Sequence, residues 1–152
     1  VARGLVRAIG VCNFSTASLA EARAKASNPI VYNQVHYNLE FRECEADGLL
    51  RYCEDNDVLL AAWRPVQKGL ILEDPPKIVY DLAEKYGKSY AQIALNWLVS
   101  QRNVVTLSKT RHVGHLEENL GALGWTMDAE DIELLRSGYP DRRFVSDVVP
   151  LG

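Results

Sequence analysis

Four times in succession a short apolar run is followed by a helical pattern, and this alternation limits the chain to a parallel sheet with helices packed against it. The runs are residues 5–11, 30–35, 58–62 and 104–107. Ser15 is placed to cap an Ala-rich helix over residues 16–26, and Asn28-Pro29 breaks the chain before the second run. Residues 45–56 read as the second helix, with Leu49, Leu50 and Cys53 on one side. A polar loop carrying Gly69 and Pro75-Pro76 follows the third run. Helices are predicted over residues 78–86 and 90–99, separated by Gly87-Lys88, and Ile93, Ala94, Trp97 and Leu98 form a stripe expected to face the sheet. A helix over residues 113–123 follows the fourth run, and another over residues 128–136 precedes a tail, residues 140–152.

Two α/β architectures accept four consecutive βα units. One is a small doubly wound sheet; the other is half of a (β/α)8 TIM barrel, which as a whole takes about 250 residues. In a half barrel, Ile9, Val11, Val35 and Leu60 are expected to face the interior and to need partners from other strands. Both architectures place function at the C-terminal ends of the strands.

Those ends read Cys12-Asn13-Phe14-Ser15, Asn33-Gln34-Val35-His36-Tyr37-Asn38, Trp63-Arg64-Pro65-Val66 and Ser108-Lys109-Thr110. Singly, each is explained by loop residues satisfying their own backbone or by an aromatic capping the core. In succession on one face they make a polar rim. Lys109 is a flexible point cation suited to phosphate, Thr110 adds a hydroxyl, and the next helix presents unpaired N–H groups. Glu118 and Asn119, one to two turns in, can bond an adenine or ribose. The competing reading is a solvated lysine beside a helix cap. Neither G-x-G-x-x-G nor G-x-x-x-x-G-K-[ST] is present, so a dinucleotide would bind without a Rossmann turn.

Composition removes several classes. A net charge of -3 with no basic stripe argues against a nucleic-acid surface. No apolar run approaches the roughly 18 residues that span a bilayer. Cys12, Cys44 and Cys53 are odd in number and lack zinc-type spacing, which fits reduced thiols in a cytoplasmic protein. The chain starts at Val1 without Met, as an internal piece of a longer protein would.

The segments "IGVCNFS", "NQVHYN", "WRPVQKG", "AQIALNWL" and "LSKTRHVGHLEENLGAL", in that order and spacing, closely resemble the C-terminal half of aldo-keto reductases. The resemblance covers essentially the whole chain. It implies strands five to eight of a (β/α)8 barrel that binds NADP (as NADPH) and reduces an aldehyde or ketone. Asn13 and Gln34 match the residues that hold the nicotinamide carboxamide, with Cys12 beside them where most members have Ser. Trp63 stands in place of the Tyr that stacks on the nicotinamide. Arg64, Pro65 and Val66 match the pyrophosphate side. The segment beginning at Ser108 supplies Lys109 and Thr110, which match the grip on the 2′-phosphate. His115 replaces a frequent Arg there and leaves NAD possible, and Glu118 and Asn119 match the adenine contacts. The family's proton-donating Tyr and its Lys, Asp and His partners belong to the other half of the barrel, so no catalytic residue is assigned. Tyr37 and Lys68 lie outside that context. The expected partners are a small carbonyl substrate and either the N-terminal half of the barrel or a second copy of this chain.

Other readings compete. Cys12 at a strand-to-helix turn could be an activated nucleophile, because a helix N-terminus lowers a thiol pKa. His36, His112 and His115 could be metal ligands, although an i, i+3 pair is more simply a solvated helix start. A nucleotide-binding regulatory protein of the same fold would keep the cofactor residues without turnover. A phosphate-binding isomerase-type barrel would keep the cation after its last strand but would need neither Trp63 nor the Asn13/Gln34 pair.

Overall fold

In the computed structural model, which describes residues 1–140 and 142–152, the four runs form one parallel sheet. Its strands are β1 (Ile9–Cys12), β2 (Ile30–His36), β3 (Leu59–Trp63) and β4 (Val104–Leu107). Asp141 of the tail lies outside the described residues, as do the side chains of Leu70 and Ile71 in the loop after β3. The strands lie side by side in chain order. A doubly wound sheet reverses its order at a switch point, so that alternative falls. Right-handed crossovers that always step the same way put every connecting helix on one face.

The helices are α1 (Thr16–Lys25), α2 (Glu43–Ala46), α3 (Leu49–Asp55), α4 (Leu70–Glu73), α5 (Lys77–Tyr86), α6 (Tyr90–Val99), α7 (Val113–Leu120) and α8 (Ala129–Gly138). Ser15 caps α1 by accepting from Ser18 N. Ser89 and Gln92 form a reciprocal capping box on α6, whose Ile93, Ala94, Trp97 and Leu98 are all buried. Three expectations are corrected. Residues 5–8 are not strand: Leu5 is 74% exposed, and pairing begins only at Ile9↔Ile30, so the preceding residues have no neighbour to bond. The single helix over residues 45–56 is two, because Gly48 sits at φ 78 between α2 and α3, a conformation that terminates a helix. The loop after β3 holds a 3-10 turn (Gln67–Gly69) and the short α4.

The two faces of the sheet follow from register. Val11, Asn33, Leu60 and Val104 form one cross-strand row, and Val35 with Ala62 another. Val35, Leu60, Ala62 and Val104 are buried in the core with Leu19, Cys53, Trp97 and Leu98 of the helices. The opposite face carries Cys12–Gln34–Ala61–Val105 and His36–Trp63–Leu107. Ile9, Val11, Val35 and Leu60 therefore face or pack toward the helices rather than a barrel interior, a one-residue error of parity. The uncovered face instead shows Leu59 (44% exposed), Val105 and Leu107.

Candidate functional site

The C-terminal end of β1 turns sharply. Asn13 takes a left-handed φ of 57°, and its N–H donates to Gln34 O at 2.8 Å. Buried Asn33 holds the turn from the helix side, its Nδ2 donating to Phe14 O at 2.8 Å and its Oδ1 accepting from Phe14 N at 3.4 Å. On the other side, Trp63 Nε1 donates to Asn13 Oδ1 at 3.3 Å. This fixes the Asn13 amide orientation. Among the described residues neither Asn13 Nδ2 nor the Gln34 carboxamide has a hydrogen-bond partner, so two amides face outward beside a half-buried indole. Such a pair can bond both edges of a primary carboxamide while the ring stacks.

After β3, Arg64, Gln67 and Lys68 also adopt left-handed φ, at 53°, 46° and 58°. Non-glycine residues rarely hold this conformation, and it clusters where a site dictates the backbone. Arg64 O accepts from Asn38 Nδ2 at 2.9 Å, and its guanidinium lies 5.3 Å over the Trp63 ring and 3.8 Å from Asp147. Pro65 is buried. Val66 enters a second part of the site, a cavity of about 430 Å³ that also takes in Lys68, Lys109, Thr110, His115 and Asn119, with Glu118 at its wall. Thr110 Oγ1 accepts from His112 N at 3.1 Å, which shapes the chain just before α7. Among the described residues no side chain caps α7, so its first N–H groups stay open a few residues after Lys109.

The remaining candidates are distributed differently. Ser108 Oγ is buried without a hydrogen-bond partner among the described residues and lines a separate cavity with Leu95, Leu116 and Asn119. Cys12 is exposed, but what burial its thiol has raises the pKa, the reverse of an activated nucleophile. Tyr37 is fully buried on the helix side, its one hydroxyl proton going to Glu45 with Gln101 Oε1 2.8 Å away and its pKa raised well above normal by burial, so it lies away from the rim. His112 and His115 touch each other at 5.2 Å, while His36 is buried between Phe41 and Trp63. Glu43 and Ser146 were missed as participants, and Asn33 was read only as part of its strand end. Asn33 and Glu43 act on distant backbone and Ser146 on the distant His36 ring, contacts that leave no local signal.

A family model, the Aldo/keto reductase family, matches residues 1–139. The chain belongs to that family. An NADPH-dependent codeinone reductase 1-5 from Papaver somniferum is 33% identical over 92% of this chain and 44% of its own length. The crystal structure of a thermostable aldo-keto reductase, Tm1743, with the inhibitor epalrestat superposes at a TM-score of 0.86 and 42% identity, covering 90% of this chain and 50% of that one. An aldo-keto reductase from Klebsiella pneumoniae in complex with NADPH superposes at 0.82 and 27% identity, covering 95% and 52%. The aldo/keto reductase chain described here thus spans under half the length of the curated relatives it matches.

Proposed function

We propose that this chain is the C-terminal half, strands five to eight, of the (β/α)8 barrel of an NADP(H)-dependent aldo-keto reductase that reduces aldehydes or ketones to alcohols. The observation that carries the reading is the pair of outward, unpartnered amides, Asn13 and Gln34, beside Trp63, with the cavity at Lys109, Thr110 and His115 on the same rim. Asn13 and Gln34 would orient the nicotinamide carboxamide and Trp63 would support the ring. Lys109, Thr110 and the open α7 N–H groups would hold the 2′-phosphate, with Glu118 and Asn119 toward the adenine. NADPH, when bound, supplies the hydride. The proton donor would come from the complementary half. Open edges at β1 and β4, and the uncovered Leu59, Val105 and Leu107, suit pairing with that half or with a second copy. Reduced, unpaired cysteines suit a cytoplasmic setting.

Lys109→Ala tests the reading. Because Lys109 is exposed, its charge-assisted bond is worth the lower part of the usual range, about 1–2 kcal/mol. NADPH affinity, followed by fluorescence titration, is expected to fall roughly five- to thirty-fold, with NADH nearly unchanged. Equal losses for both cofactors would remove Lys109 from the 2′-phosphate.

A further inference from the structure

His36 takes no part in the cofactor contacts proposed above, yet it lies directly under them. Its ring stacks against Trp63 at 4.7 Å and against Phe41 at 4.3 Å. Both nitrogens are occupied: Nε2 lies 3.1 Å from Gln67 Oε1, and Nδ1 lies 2.8 Å from Ser146 Oγ. Gln67 Oε1 can only accept, so the proton sits on Nε2, and Nδ1 accepts the Ser146 hydroxyl. Asn38 Nδ2, 3.4 Å from Nε2, donates one of its two N–H groups to Arg64 O at 2.9 Å, the shorter of its two contacts.

Ser146 belongs to a strap, residues 143–152, that crosses the ends of three strands. Arg143 exchanges backbone bonds with Glu40 and Arg42. Both Glu43 carboxylate oxygens accept strap N–H groups, from Ser146 at 2.9 Å and Leu151 at 3.1 Å. Gly152 N donates to Asn13 O, and Gly152 O accepts from Ser15 N. Ser146 Oγ also accepts from Val148 N and Val149 N, both at 3.2 Å, so its lone pairs are filled and its one proton goes to His36.

We propose that His36 is a positioning residue that couples the strap to the plane of the Trp63 ring and holds both only while its imidazole is neutral. A proton on Nδ1 would face the already saturated Ser146 oxygen and leave the hydroxyl proton without an acceptor. The stack would then lose its hydrogen-bonded tie to the strap, leaving the strap's Asp147 Oδ1, 3.8 Å from Nδ1, as a longer electrostatic contact. Burial is the main influence on this ring and keeps its pKa below the ordinary histidine value. Gln67, Asp147 and Glu43 pull it up, and Arg64 pushes it down. The Arg143–Glu40 pair lies beyond Phe41. The sign follows from that direction. The tie is complete above about pH 6.5, the ordinary histidine value, and is lost as pH falls through the lower folded value.

The coupling stands on geometry alone; only its service to a nicotinamide rests on the function proposed above. The test is therefore first made without cofactor. In 15N NMR spectra of the chain, the Trp63 indole N–H and the Val148 and Val149 amides are expected to shift together between pH 7.5 and 5, with one midpoint below 6.5. Ser146→Ala is expected to move the Trp63 indole resonance at pH 7.5, although residue 146 does not touch that ring. His36→Phe keeps a stacked ring and is expected to abolish the pH step while loosening the strap at every pH. An indole resonance unmoved by Ser146→Ala, or separate midpoints for indole and strap, overturns the coupling. NADPH titration of Ser146→Ala then shows a several-fold loss where the cofactor reading holds; an unchanged affinity beside a moved indole overturns only the cofactor role.

Discussion

Replacing Asn33 with Ala removes a buried side chain that holds the β1–α1 turn from the helix side. Asn33 is fully buried, and its carboxamide bonds both polar groups of the Phe14 peptide, N–H and C=O. The Phe14 C=O bond at 2.8 Å is the strong one, and the N–H bond at 3.4 Å is long. Leaving a buried backbone group unpaired costs about 1–3 kcal/mol, and Phe14 is half-buried, so water recovers part of it. The weak bond and the small void left by the amide add little. The sum is a loss of about 2 kcal/mol. With a urea m-value of about 2 kcal/mol/M, that moves the unfolding midpoint down by about 1 M. Asn56 is the control. Its Nδ2 donates to Tyr52 O at a comparable 2.9 Å, but at an exposed position, so Asn56→Ala is expected to change stability by less than about 0.5 kcal/mol. Equal midpoints for the Asn33 and Asn56 variants would refute the argument that burial gives this bond its value.

Gly10→Ala is expected to destabilise the β1–β2 pair by about 1–3 kcal/mol in the same assay, because an added Cβ would lie 2.8 Å from both Tyr32 Cβ and Tyr32 O. Tolerance of Ala there would show that β1 can move outward freely. Thiol alkylation followed by mass spectrometry is expected to label exposed Cys12 first. Cys44 is fully buried, and burial pushes the Cys53 thiol up to about 11, so both should react only on unfolding; early labelling of Cys53 would contradict its placement.

The strand ends were legible because Asn13, Gln34, Trp63 and Lys109 lie at or just beyond the last residues of apolar strands, and chain order alone puts those ends at one edge of a parallel sheet. The facing of the strands was not. In "VLLAA" every position is apolar, so no alternation tells Leu60 from Ala61. Size does not separate them either: the helix side takes Leu60, Val35 and Val104 but also Ala62, and the other face has Ala61 but also Val105 and Leu107. Leu49, Leu50 and Cys53 suggested one continuous helix because Gly48 can sit inside a periodic pattern, and only its positive φ reveals the break. The strap could not be read at all. Ser146 and Leu151 have no periodicity, and Glu43 lies over a hundred residues away in the chain.

That separation in the chain also orders the folding of the parts. Neighbouring strands pair in sequence, Ile9 with Ile30 first, so the sheet can grow from short loops. The strap's bonds to Glu43 and His36 close loops of 103 to 110 residues. Such a closure is dearer than the β1–β2 loop by about 1.5 kcal/mol of chain entropy. The strap is thus expected to dock after the sheet and to leave before it. The Asn13 backbone is held by one early bond, from its N–H to Gln34, and one late bond, from Gly152, so when the strap lifts its peptide is expected to keep only the Gln34 bond while the side chain stays on Trp63.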